Sequence, residues 1–197
     1  MSNNKVIFSL LFFLSLATSS RGQDANVKSG NKLTAYIGGG ISFYQGTPGT
    51  PSGLEATVTR IKPAATLRVM WKPDFLLRLG LESGLVQFYS YKIDDNGIKS
   101  STSVEAVPLL LVFSMPVTRK LNLYSGTGYY VMRSVLIYDG KVTTTGLSLG
   151  WMLAAAYDFP ISSTLGINTE IKWHKAVPTR DGSLNAQVQL RWDFLRK

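Results

Sequence analysis

The closing stretch VQLRWDFLRK sets Val188, Leu190, Trp192 and Phe194 in alternation with Gln189, Arg191 and Asp193. Successive side chains of a β-strand point to opposite faces, so a period of two describes a strand with one apolar and one polar side. The period recurs along the chain. In TLRVMW, Leu67, Val69 and Trp71 oppose Thr66 and Arg68, and in LLRLGLESGL, Leu77, Leu79, Leu81 and Leu85 oppose Arg78, Gly80, Glu82 and Gly84. GLSLGWMLAAAYD sets Leu147, Leu149, Trp151, Leu153 and Tyr157 against Ser148, Gly150, Ala154 and Asp158. GINTEIKWH sets Ile167, Ile171 and Trp173 against Asn168, Glu170, Lys172 and His174. No convincing amphipathic helix follows Thr34.

Eight strand segments are expected: Thr34–Gln45, Pro63–Lys72, Phe75–Ile93, Ser103–Met115, Leu121–Tyr138, Thr144–Phe159, Leu165–Ala176 and Ser183–Leu195. Most reach the roughly 9 to 11 residues that a tilted strand needs to cross a bilayer, beyond the five or six of an ordinary soluble strand. Their even number and polarity predict an all-β fold, an eight-stranded antiparallel up-and-down transmembrane β-barrel. The connections Gly46–Lys62 and Asp94–Thr102 are expected as long loops, and Lys72–Asp74 and Pro116–Lys120 as short turns. Pro108 sits inside a strand and lacks a ladder donor, so a bulge or a locally opened pair is expected there.

Glycine ordinarily weakens a strand, yet Gly38, Gly40, Gly80, Gly84, Gly126, Gly128 and Gly150 lie within these segments. A narrow lumen explains them, because small residues leave room for large polar ones. Arg68, Arg78, Glu82, Glu170, Lys172, Arg191 and Asp193 are therefore expected to form a mutually neutralising interior network, since buried charges are tolerable only when paired. The opposite face is expected to meet lipid through Leu67, Val69, Trp71, Leu77, Leu79, Leu81, Leu149, Trp151, Ile171, Trp173, Leu190, Trp192 and Phe194. Aromatic belts at the water interfaces are expected from Phe43, Tyr44, Trp71, Phe75, Tyr89, Tyr91, Tyr138, Tyr157, Phe159, Trp173, Trp192 and Phe194.

The first residues carry one early Lys5, an apolar run of 12 residues from Val6 to Ala17, and small residues before Gly22. The run is too short for a spanning helix, which needs roughly 20 residues, and has the layout of a secretory signal. The expected organisation is a signal peptide over 1–22, a flexible leader over 23–33 and a barrel over 34–197. The chain has no cysteine, so disulfides, cysteine metal sites and a lipid-modified cysteine are excluded. Its net charge of +9 falls to +7 when Lys5 and Arg21 leave with the signal segment. The basic residues are dispersed, which speaks for a solvated or headgroup-facing surface and against nucleic acid.

The stretch EAVPLLLVFSMPVTRKLNLYSGTGYYV, from Glu105 to Val131, resembles the PorT-like outer membrane β-barrel-domain family. Pro108, Leu109, Leu110 and Leu111 match a strand with Pro and then three leucines, and Gly126, Gly128 and Tyr129 match a Gly-x-Gly-aromatic strand. TTGLSLGWMLAAAYDF is similar to the family's next strand. The resemblance implies the outer membrane of a Gram-negative bacterium. VQLRWDF also resembles the C-terminal signal read by the barrel-assembly machinery, although Leu195, Arg196 and Lys197 follow its aromatic.

The expected role is that of a non-enzymatic small barrel, structural or accessory in the cell envelope. Its expected partners are outer-membrane lipid, the assembly machinery and other envelope proteins. No appended anchoring module is expected after the last strand, and eight strands leave no wide pore. No nucleotide loop, zinc spacing or calcium loop is present, so no cofactor or metal is expected. Two alternatives stand. A soluble exported lipocalin-like barrel would turn Leu67, Leu79, Leu149, Ile171 and Trp192 inward around an apolar ligand. An outer-membrane enzyme would need His174, Asp181 and Ser183 within hydrogen-bond reach.

Overall fold

The computed structural model describes residues 31–46, 56–73, 77–95, 98–177, 179 and 181–196. The signal segment and most of the leader lie outside them, as does Phe75. The strands are β1 (Lys32–Tyr44), β2 (Ala56–Thr59), β3 (Ile61–Lys72), β4 (Arg78–Asp95), β5 (Ile98–Pro116), β6 (Leu121–Ile137), β7 (Lys141–Pro160), β8 (Leu165–Ala176) and β9 (Ser183–Arg196).

Every pairing is antiparallel. The order is β4-β3-β1-β9-β8-β7-β6-β5, and β5 pairs back onto β4, which closes an eight-stranded barrel. Closure leaves the membrane-depth backbone with no open edge, the condition for sheet in a bilayer. The additional short strand β2 adds to the far end of β4, with Ala56 opposite Ile93 and Thr59 opposite Ser90. The connections β3–β4, β5–β6 and β7–β8 lie at one end with Lys32 and Arg196. The other end carries the remaining connections.

Two expected loops are differently built. Asp95 faces Ile98, so the hairpin expected to open at Asp94 stays paired until only Asn96 and Gly97 remain between its strands. Within Gly46–Lys62, β2 already pairs with β4. β7 also starts at Lys141, earlier than the expected Thr144.

Pro108 is accommodated on one side only. Its register with β6 is unbroken, Pro108 opposite Tyr130, whereas the β4–β5 ladder runs to Ser83↔Leu109 and resumes at Val86↔Ala106. In an antiparallel strand alternate residues bond to alternate neighbours. Val117 N–H donates to Leu121 on the β6 side, so even-numbered residues of β5 face β4. The missing donor of Pro108 therefore falls opposite Gly84, where the ladder is open, and a register shift follows between Gln87 and Tyr89.

The outward face is apolar up to one level. There Gln87, Glu105, Arg133 and Thr145 stand side by side on β4, β5, β6 and β7, and Glu105 accepts from Gln87 at 3.3 Å and from Arg133 at 3.4 Å. Above this polar row the upper parts of β2, β4, β5, β6 and β7 continue as a projecting sheet.

Candidate functional site: the charged lumen

Inward positions alternate with outward ones on every strand, which aims charges from opposite walls at one another. Arg68 and Glu82 are register partners on β3 and β4. Glu170 and Lys172 are two residues apart on β8, on the same face and across the barrel. Arg68 donates from Nε to Glu82 Oε2 at 2.6 Å and from its terminal nitrogen to Glu170 Oε2 at 2.7 Å. Lys172 Nζ lies 2.5 Å from Glu82 Oε1 and 2.9 Å from Glu170 Oε1. Two cations and two anions thus form a ring of alternating sign and no net charge. All four side chains are at most 1% exposed. Pairing with further hydrogen bonds is what makes such burial tolerable: Lys172 also donates to Thr66 at 3.1 Å and Gln189 donates to Glu170 at 3.0 Å. The Arg68 guanidinium lies 4.2 Å from the Tyr124 ring centre, a cation–π contact.

The other three expected network members, Arg78, Arg191 and Asp193, do not reach this ring. They form a second tier toward the short-turn end, organised by Asp158. Asp158 accepts from Asn122 at 2.9 Å and Asn168 at 2.7 Å, and lies 3.7 Å from Arg191. Arg78 donates to Asn122 at 3.1 Å, and Asp193 accepts from Thr34 at 2.7 Å. Above the ring the lumen closes again. Tyr130 and His174 are hydrogen-bonded at 2.8 Å, and Phe88 and Tyr44 meet edge to face.

Asp158 and Asn122 are additional members of the network, and both stand on the polar side of their strands. Strand parity was the signal that finds them.

The outer surface is the reverse of the lumen. Leu67, Val69, Trp71, Leu77, Leu81, Leu149, Trp151, Ile171, Leu190, Trp192 and Phe194 are exposed, with Ile171 at 60% and Trp192 at 53%. Leu79 and Trp173 are half-buried on the same outward face. This overturns the lipocalin-like arrangement: Leu67, Leu79, Leu149, Ile171 and Trp192 face outward, and the interior is occupied by the charged ring, its polar neighbours and a buried cluster that includes Tyr36, Met70, Phe88, Leu110 and Tyr130. The expected belts need correction too. Tyr44 points inward at 4% exposure, since it shares parity with Tyr36 and Ser42. Tyr89, Tyr91 and Tyr138 belong to the projecting sheet, above the polar row. Of the expected belts Phe43 and Trp173 remain at the outer level, where the exposed Tyr129 and Trp151 join them, and Trp71, Tyr157, Phe159, Trp192 and Phe194 form the inner one. From Trp151 to Phe159 a strand at about 3.3 Å per residue and a tilt of about 40° rises about 20 Å, comparable with the roughly 25 Å apolar band of outer-membrane barrels. The fold is a β-barrel of outer-membrane type.

No family model matches the chain, and none of the curated proteins does. Solved structures of similar fold include Ail, the attachment invasion locus protein of Yersinia pestis, at 9% identity over 84% of this chain and 100% of that one, TM-score 0.47. The outer membrane protein OprG of Pseudomonas aeruginosa is similar at 10% identity over 84% and 97%, TM-score 0.45. Neisserial surface protein A is similar at 12% identity over 84% and 98%, TM-score 0.41.

The enzymatic arrangement does not assemble. Ser183 is bonded to Ser42 at 2.5 Å, His174 to Tyr130, and Asp181 is exposed. No three His, Cys, Asp or Glu residues among those described are grouped as a metal would require. Chemically, the ring is a neutral, ion-paired cluster between the Asp158 tier on one side and Tyr44, Phe88, Tyr130 and His174 on the other.

Proposed function

We propose that this chain is a non-enzymatic outer-membrane protein whose barrel is a sealed anchor and whose working surface is its projecting outer end. It serves the cell envelope as a structural or accessory component. One observation carries the reading: four charged lumen side chains, Arg68, Glu82, Glu170 and Lys172, are shut away while large apolar side chains such as Leu67, Leu149, Ile171 and Trp192 stand outside. Water around such an exterior would leave a continuous apolar girdle far larger than the few hundred Å² that soluble monomers expose. The signal-like start and the resemblance to PorT-like domains support export and membership of that kind of barrel. The C-terminal strand is proposed as the segment that engages the assembly machinery.

Fractionation of expressing Gram-negative cells tests this, together with conductance of the refolded protein in planar bilayers. The expected result is recovery with the outer membrane, faster migration of the unheated protein in detergent gels, and no stepwise current. Recovery in the soluble fraction without detergent overturns the membrane reading, and discrete conductance steps overturn the sealed anchor.

A further inference from the structure

Deepening the accessory role just proposed, on which it rests, a docking edge is built into the projecting sheet. β7 pairs with β8 only from Gly150↔Ala176 downward, and Val177 N–H closes the ladder on Leu149. Above that point Lys141–Ser148 pair with β6 alone among the described residues. Because Leu149 offers its carbonyl to the β8 side, the odd residues Lys141, Thr143, Thr145 and Leu147 turn their N–H and C=O groups the same way. No described residue meets them there. The side chains of Lys141–Leu147 are all exposed, and a Cβ at Gly146 would have nothing within 4 Å.

Native proteins blunt such edges with charges, prolines, bulges or a covering segment. Val142 to Ser148 contains no charge and no proline, and the β6–β7 register there is unbroken. The opposite edge of the same sheet is treated differently, for β2 of this chain lies along β4. We propose that this edge of β7, unpaired among the described residues, receives an extended, uncharged segment of a different polypeptide, which continues the line of β8 outward by strand addition. Leu136 and Val142, register partners 41% and 59% exposed, form an apolar shelf beside the edge on which alternate β-branched side chains of that segment pack.

A second copy of this chain does not fit. Antiparallel self-pairing relates two copies by an axis perpendicular to the strands and the sheet, which inverts the second barrel relative to the membrane. Parallel self-pairing places the axis along a tilted strand, so the barrel axes diverge by about twice the 35–45° tilt.

The test uses the full mature chain in phospholipid nanodiscs and a synthetic octapeptide of alternating valine and threonine as probe, read by amide hydrogen exchange. In the free protein the amides of Thr143, Thr145 and Leu147 exchange fast while Thr144, Gly146 and Ser148, bonded to β6, exchange slowly. Saturating peptide slows the fast set by about tenfold or more and leaves the slow set unchanged. Thr143→Pro with Thr145→Pro removes donors from the free edge alone and abolishes the response. Val142→Lys, an exposed change that spares both ladders, weakens it. Unresponsive edge amides in a barrel whose β8 and β9 amides are protected overturn the docking edge and leave the membrane reading intact. Protection already present without peptide overturns it as well, whether it is independent of concentration and so due to the chain's own segment, or rises with concentration as a second copy requires. A chain that does not enter the nanodisc fails the membrane reading instead.

Discussion

Arg68 touches both carboxylates of the ring, at 2.6 and 2.7 Å, and its loss strands two anions on one ammonium among side chains at most 1% exposed. Removing one partner of a buried ion cluster costs about 3–5 kcal/mol, because the remaining charge stays buried without compensation. Arg68→Met is therefore expected to lower unfolding stability in lipid by that amount, read as the shift in urea midpoint. The double substitution Arg68→Met with Glu82→Leu leaves Lys172 and Glu170 as a neutral pair at 2.9 Å and is expected to recover most of the loss. If the double variant is as unstable as the single, the four groups do not act as a charge-balanced ring. The side of the strand on which each charge lies was legible, since parity is local. Which charges meet was not, because contacts across a lumen depend on the stagger between strands far apart in sequence, as with Arg68 on β3 and Glu170 on β8.

The strands themselves show where a local pattern ends. All eight expected segments are strands of the barrel, but β4, β5 and β7 extend beyond their expected limits and β2 was missed. The reason is physical: above the polar row the side chains of Lys141–Leu147 are exposed on both faces of β7, so no alternation marks them. Within the membrane the constraint is close packing. A Cβ on Gly84 would lie 2.1 Å from the Ala65 carbonyl oxygen, at φ +156°, beside the pair opened by Pro108. Gly84→Ala is expected to cost about 1–3 kcal/mol, as overpacking does. Gly146→Ala, in open space, is expected to be neutral or to stabilise by about 0.5–1 kcal/mol, because the unfolded chain loses freedom. Urea midpoints of both variants in the same lipid check the contrast, and equal effects would refute the close approach at Gly84.

The barrel as a body is defined by what surrounds it, and a single substitution reads that solvent. Ile171 stands between the belts, 60% exposed, opposite Ala155 and Ala186 on the neighbouring strands. In a bilayer Ile171→Arg places a charge near the midplane, which costs about 2–4 kcal/mol, whereas Leu165→Arg, close to the inner belt, costs about 0–1 kcal/mol. In water both changes would be neutral or favourable, since each replaces an exposed apolar side chain by a solvated one. The depth dependence thus separates the two solvents where total stability does not. Refolding into vesicles across a urea series is expected to show the folded-to-unfolded ratio of the Ile171 variant lower by about thirty-fold to several-hundred-fold at fixed urea, with the Leu165 variant near the parent. Equal behaviour of the two would mean that no hydrocarbon layer surrounds the girdle, and with it would go the reason for a charged interior.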